Sequence, residues 1–384
     1  MSKIFNKDLL LCYKIQHLFF MTKQILLPGQ ILSELMDERN LSQRELASRL
    51  DISHSLLSNI LNGNRAINIK LAISLEAINF KDANFWLTKQ MEHELYIAQK
   101  DPDLIRKQEE IKKWNEIEKV VPISYFKKFG FLNLDYTNNL KTILNIYNAQ
   151  DIESLKTKIN KYSFSNFRKS SKFNENKNNI IAWSYLAEYN ASLDNNIGTF
   201  KKESENELIE ELNIFFYKFR KGQDYITKTK NILNKYGIKF LTLDRPSQTP
   251  VDGKCFMSGA NPAVVLSLKY NRLDNFAYNL MHELGHIYRH LTNPKYKDSS
   301  FFTNAPNIEK EELDADNFAK HNLIEIKEWN IFFSTNDDFN DECILNFSKK
   351  IKVHPAIIRG RVCYEMPEYY RKRTIINSMN VLED

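Results

Sequence analysis

The sequence predicts a multidomain, mainly helical chain that ends in a small α+β domain, and three observations carry that expectation. The chain has 384 residues, too many for one ordinary core when domains hold about 100–200 residues each. From Leu27 to about Ala98, and again from Val121 to about Ser204, apolar residues recur at helical spacing between polar breaks. After Leu233 the period changes, and short β-rich runs precede two further helical stretches. Three domains are expected, over residues 24–100, 101–205 and 206–365. An N-terminal extension (1–23) and a C-terminal tail (366–384) flank them.

Composition narrows the class. Hydrophobic residues make up 42% and charged residues 27% of the chain, the balance of a soluble globular protein. Cys12, Cys255, Cys343 and Cys363 lie far apart with no CxxC pair, which argues against a disulfide framework and for a reducing, cytoplasmic location. Leu9 to Met21 is the one stretch resembling a targeting signal. Lys14, Gln16 and His17 interrupt it, and it is shorter than the roughly 20 apolar residues that span a bilayer, so no membrane partner is expected. Met21 opens a segment that makes a sensible start by itself, so residues 1–20 read as an appended helix or the product of an upstream start codon. The formal charge of +6 is modest for this length and only weakly favours an acidic partner.

The first domain reads as short helices. Pro28 suits a helix start, Asn40 and Ser42 act as caps, and Asn62-Gly63 is a stop. Between Leu41 and Leu61, the apolar residues Leu46, Ala47, Leu50, Ile52, Leu56 and Ile60 would pack two helices together, with Ser42 and Ser53 capping them. Asp51 occupies the turn, where a left-handed backbone is often needed and Asp is better tolerated than most residues. If the second helix enters a major groove, Ser53, His54, Ser55, Ser58 and Asn59 lie on or beside its base-reading face. Gln43, Arg44 and Arg65 would then meet phosphates. Residues 21–66 hold five basic side chains (Lys23, Arg39, Arg44, Arg49, Arg65) and five acidic ones (Glu34, Asp37, Glu38, Glu45, Asp51). Charge therefore gives no basic footprint, and a plain helical hairpin is the competing reading.

Leu27-Pro28-Gly29-Gln30-Ile31-Leu32, the run Leu41–Leu61, Asn62-Gly63-Asn64-Arg65 and Ala83-Asn84-Phe85-Trp86-Leu87 resemble the HigA-type antitoxins of the XRE repressor class, over roughly residues 24–98. The resemblance implies a homodimer on a palindromic double-stranded DNA operator, often the protein's own promoter, and a cognate toxin as a further candidate partner.

Lys100 to Trp114 reads as a charged helix or linker, and the cluster Leu140-Ile143-Leu144-Ile146-Tyr147 places helices in the middle region. Strands are expected over Ile238–Leu243, Cys255–Met257 and Ala263–Leu268, then helices over Asp274–Leu291 and about Asn307–Leu323, with Pro294 ending the first and Pro306 opening the second. The first of these helices carries His282-Glu283-Leu284-Gly285-His286. Histidines four residues apart share a helix face and can share a metal, with Glu283 beside them as a general base. Phe276, Leu280, Leu284, Ile287 and Leu291 form the face that packs on the sheet. A catalytic zinc needs a third protein ligand and an open position. Glu312 on the next helix is the candidate, with Ala315 and Ala319 small enough to admit close approach. His290 competes, but the rise of about 1.5 Å per residue puts it roughly 12 Å from His282 along the helix, which favours a supporting role. Cys255 is either a redox-sensitive inhibitory ligand or a buried thiol.

Asp274 to His286, Glu312-Leu-Asp-Ala-Asp-Asn-Phe-Ala319, Ala263–Tyr270 and His354–Arg361 are similar to the ImmA/IrrE metallopeptidases, over about residues 206–365. The resemblance implies a zincin-like fold, Zn²⁺ held by His282, His286 and Glu312, and Glu283 as the base, with Asp314 as the alternative ligand. His321-Asn-Leu-Ile-Glu-Ile lacks the Pro that the family usually places after this helix. Such peptidases cut a helix-turn-helix repressor to induce stress, mobile-element or defence genes. The expected function is therefore a DNA-binding regulator that cleaves such a repressor in trans, or itself, with the substrate lying along an edge strand such as Ala263–Leu268. The second hypothesis is a HigA-like autorepressor whose zinc domain is a sensor or scaffold without turnover. A secreted protease is disfavoured by the absent signal peptide and the unpaired cysteines.

Overall fold

The computed structural model describes residues 26–166, 177–194, 197–220, 224–246, 249, 251–296, 300–302 and 309–376. The expected extension over 1–23, its Leu9–Met21 stretch and the helix start at Pro306 lie outside them. The chain forms two compact units that divide between Lys112 and Lys113.

The first unit is helical: α1 (Pro28–Glu38), α2 (Gln43–Arg49), α3 (His54–Leu61), α4 (Ile69–Ala77) and α5 (Ala83–Ala98). Local chemistry sets the ends. Pro28 opens α1, Ser42 and Glu45 cap α2 reciprocally, and the Ser53 hydroxyl accepts the Leu56 amide at the start of α3. Asp51 has φ +54°, the left-handed turn expected of it. Leu32, Leu46, Leu57, Ile60, Leu75 and Trp86 share one core. Gly29 lets α1 lie on the end of α3, since a Cβ there would sit 2.2 Å from the Ile60 carbonyl oxygen. One expected core residue is misplaced: Leu56 is exposed, and Leu57 and Leu61 are buried with Ile60. Starting the helix at His54 gives 57, 60 and 61 the inward phase.

The second unit begins within α6 (Pro102–Glu118), whose Trp114 and Ile117 belong to its core. Next come α7 (Ile123–Lys128), α8 (Tyr136–Ile146), α9 (Ile152–Asn166), α10 (Lys177–Leu193), α11 (Glu205–Tyr217) and α12 (Tyr225–Lys235). The strands are β1 (Lys239–Thr242), β2 (Gly253–Ser258), β3 (Asn261–Leu266) and β4 (Ser300–Phe302). The remaining helices are α13 (Leu273–His286), α14 (Glu309–Leu323), α15 (Ile326–Thr335), α16 (Asp341–Ile351) and α17 (Pro355–Glu365). No helix among the described residues is long and apolar enough to cross a membrane.

The sheet runs β1-β3-β2-β4, with β1 parallel to β3 and the other pairs antiparallel. Alternation along the strands gives each face its own core. Phe256, Ala263 and Val265 face Ile143, Trp183 and Leu186, whereas Cys255, Val264 and Leu266 face Phe276, Leu280 and Leu284. The helices expected to form a separate domain over 101–205 thus share a hydrophobic core with the sheet, and 205/206 does not divide the core. The expected tail also packs in part: Tyr369 is buried, and Arg359 donates to its carbonyl at 2.8 Å. Finally, β3 is not an edge strand. Its two sides are taken by β1 and β2, so the stretch Ala263–Leu268 has no backbone edge for a peptide along Ala263–Leu266.

Candidate DNA interface and metal centre

Helix α3 presents a polar outer face. His54, Ser55 and Asn59 are exposed, Ser58 is half-buried, and Ser53 is exposed at the cap. Gln43 and Arg44 at the start of α2 and Arg65 beyond the stop are exposed as well. The Asn59 carbonyl accepts the Asn64 and Arg65 amides at 2.8 and 3.1 Å, which fixes the loop that carries Arg65. The polar residues singled out in the sequence therefore border one capped helix whose opposite side is core.

The second site forms where α13 and α14 meet. Gly285 permits the contact, because a Cβ there would lie 3.1 Å from the Cα of Ala315; Ala315 and Ala319 are both fully buried. Across this contact Glu312 faces both histidines. Its carboxylate oxygens lie 3.3 Å from His282 Nε2 and 3.2 Å from His286 Nε2, and these two nitrogens are 3.1 Å apart. His282, His286 and Glu312 form a group able to hold a metal ion, with one donor atom from each lying within 4.8 Å of the others. The donors suit zinc in kind and number: two imidazole nitrogens and one carboxylate, which leaves a fourth position open.

Neighbours orient the donors. Asp316 Oδ1 lies 2.9 Å from His282 Nδ1 and accepts the Tyr278 hydroxyl at 2.8 Å. Such a carboxylate fixes the ring and leaves Nε2 as the donor atom. Burial works against charge on His282, but Asp316 and Glu312 outweigh it and lift the imidazole pKa to about 10, whereas burial keeps His286 below its usual value. Burial also opposes ionisation of Glu312, but its hydrogen bonds to both histidines hold it below the ordinary carboxylate range. Past His286 the helix widens into a π turn over Ile287–Leu291, a feature frequent at functional sites. His290 Nδ1 sits 3.1 Å from His286 Nδ1, and Phe301 of β4 stacks on the His286 ring with centroids 4.5 Å apart.

Glu283 is fully buried beside the cluster. Gly253 on β2 makes room for it, since a Cβ there would lie 2.5 Å from Oε1. The Cys255 thiol hydrogen-bonds the same carboxylate, and burial first, then Glu283, pushes that thiol well above its ordinary pKa. Cys255 thus contacts the base and stands outside the metal-capable group. Asp314 also falls outside it: half-exposed, it lies 3.8 Å from His290. Two residues from Glu312, it is turned by about 200° around α14, whereas Asp316, at four, shares the Glu312 face. The spacing Glu312-x₃-Asp316 was the signal available in the sequence for this missed residue. Gly253 and Phe301 had none that is local.

Comparison with known families bears on both sites. A helix-turn-helix family profile matches residues 32–82, and the IrrE N-terminal-like domain of the M78 peptidases matches 233–361. The uncharacterized HTH-type transcriptional regulator YddM of Escherichia coli is 35% identical over 79 residues, 21% of this chain and 84% of that protein. The chain belongs to the helix-turn-helix transcriptional regulators. Virulence-associated protein A' of Dichelobacter nodosus is 35% identical over 69 residues, 18% of this regulator and 60% of that protein. Among solved structures, an addiction module antidote protein of the HigA family from Coxiella burnetii is 30% identical, with TM-score 0.20, covering 26% of this regulator and 97% of that chain. An antidote protein of a plasmid maintenance system from Nostoc punctiforme is 22% identical, with TM-score 0.21, covering 22% and 94%. The regulator thus joins an XRE-type DNA-binding domain to an IrrE-type domain of a peptidase family.

Proposed function

We propose that this regulator is a zinc metallopeptidase as well as a DNA-binding protein, and that its substrate is a helix-turn-helix repressor, cut in trans or within the regulator itself. The observation that carries the reading is a buried glutamate, Glu283, seated in a pocket made by Gly253 beside His282, His286 and Glu312. His282, His286 and Glu312 would hold a zinc ion, which would supply a Lewis acid for the scissile carbonyl and an acidified water. Glu283 takes the proton from the attacking water and passes it to the leaving amine. Asp316 holds the His282 ring through Nδ1, and Phe301 walls the His286 side. β4, whose Phe301 stacks on His286, pairs with β2 on one side and with no strand on the other among the described residues, so an extended substrate would add there.

Through its XRE-type domain the regulator reads DNA with α3. Asn59→Ala is expected to cost about 1–3 kcal/mol at the specific operator, and Arg44→Ala to weaken specific and random DNA alike. Equal losses from both variants on both kinds of DNA would remove α3 as the reading helix. The exposed apolar residues Ile69, Ile73, Met91 and Leu95 on α4 and α5 provide a face for a second copy, which a two-fold operator requires.

One observation favours the scaffold reading, in which the domain senses or binds a partner without turnover: the Cys255 thiol engages the Glu283 carboxylate. The two readings separate in a cell. Under hydrolysis, Glu283→Gln at matched protein level abolishes induction of the controlled genes. Under the scaffold reading, induction persists in Glu283→Gln and disappears only when His282 or His286 is replaced.

A further inference from the structure

Next to the metal cluster, where Tyr278 reaches Asp316, α13, α14 and α17 line an open pocket of about 130 Å³. None of Glu283, His282, His286 or Glu312 lines it. Its walls combine three cations (Arg272, Lys320, Arg361) and three tyrosines (Tyr278, Tyr364, Tyr370) over an aliphatic floor. The one acidic lining residue, Asp274, is already engaged by Arg272 through two hydrogen bonds. Lys320 holds its ammonium over the Tyr364 ring, 4.9 Å from the centroid, and forms no salt bridge among the described residues, although Asp316 one turn earlier feels its charge. Arg361 gives Nε to Glu365 and Nη1 to the Lys320 carbonyl, and among the described residues Nη2 keeps a hydrogen bond to give. Gly360 keeps the wall thin, because a Cβ there would lie 2.6 Å from Asp274 Oδ2.

We infer that this cavity is a binding site for a small anion built on a single planar ring, an aromatic carboxylate or phosphate, distinct from the peptide-cleaving centre. A single ring fits a space of this size, since an apolar cavity of about 150 Å³ holds one benzene. Charge sets the anion, because two of the three cations retain hydrogen-bonding capacity and charge-assisted bonds to them are the strong kind. Tyrosine faces and the Leu323–Ile324 floor take the ring. The site also reaches the metal ligands, since Tyr278 lines the cavity and donates to the Asp316 oxygen that faces His282. A bound anion places negative charge near the metal position and so tightens zinc binding, and by linkage zinc tightens the anion equally.

Calorimetry on the full-length protein tests this with probes that separate ring from charge. Benzoate and phenyl phosphate are expected to bind at least about tenfold more tightly than phenol, which lacks the charge, and than acetate or inorganic phosphate, which lack the ring. Whichever of the two tight probes binds better distinguishes a carboxylate from a phosphate ligand. Lys320→Gln, a change at a half-exposed side chain, should remove most of that advantage. Arg361→Gln should do the same, provided its circular dichroism matches the parent. A saturating ring anion should raise zinc affinity about fivefold in a competition titration, and Lys320→Gln should cancel that rise at the same anion concentration. Equal binding of charged and neutral rings, or an unchanged advantage in Lys320→Gln, would overturn the site. Binding without any zinc response in the parent would overturn its link to the metal. Each readout is independent of turnover, so the site stands or falls apart from the hydrolytic reading.

Discussion

Replacing Glu312 by Ala is expected to strip zinc from the protein, while Asp314→Ala retains it fully. Glu312 lies 3.2–3.3 Å from the Nε2 atoms of both histidines, and without it two imidazoles remain, one fewer protein ligand than a hydrolytic zinc site uses. Asp314 faces His290 at 3.8 Å and is half-exposed. His282→Ala and His286→Ala should behave as Glu312→Ala does. Asp316→Asn, which removes the carboxylate that orients His282 but no donor atom, should weaken zinc by about 10–100-fold without abolishing it. Elemental analysis after dialysis against a weak chelator checks the series. Zinc lost in Asp314→Ala and kept in Glu312→Ala would transfer the ligand role and break the proposed geometry.

Gly253→Ala should lower peptide cleavage by about 10²-fold at unchanged zinc content. The new methyl group would lie 2.5 Å from Glu283 Oε1 and 3.0 Å from a Leu266 methyl carbon, and fully buried surroundings leave the carboxylate little room to yield. A base displaced by about 1 Å loses the alignment that proton transfer requires. Stability should fall as well, by the roughly 1–3 kcal/mol typical of overpacking, so kcat is compared on protein whose folding is verified by thermal melt. Retained kcat with intact folding would mean that Glu283 does not need its present seat.

What the sequence made legible is what is encoded locally. Ser42, Ser53 and Asp51 announce the helix-turn-helix because caps and a left-handed turn depend on near neighbours. His282 and His286 announce the cluster because four residues bring them to one helix face. Where two registers compete, helix phase decides: it buries Leu57 where Leu56 is expected, and it brings Asp316, which has no expected role, to His282. Strand order is less local still. Inserting β3 between β1 and β2 removes the edge that Ala263–Leu266 would otherwise offer, and β4, three residues long, is too short for a period to be read. Gly253 beside Glu283 and the shared core of the sheet with α6–α10 are consequences of that order, so they became visible only in the fold.

Hydrolysis itself is tested most directly in a purified mixture. The zinc-loaded regulator is incubated with the helix-turn-helix proteins encoded beside its gene, with and without operator DNA, and new peptide termini are mapped by mass spectrometry. The expected result is a single new terminus, in one of those proteins or in the regulator, formed by the parent and slowed by about 10²–10⁴-fold in Glu283→Gln at equal zinc and equal DNA affinity. A terminus formed equally fast by Glu283→Gln, or none formed by the zinc-loaded parent, would contradict the peptidase and leave a DNA-binding protein with a metal-holding scaffold.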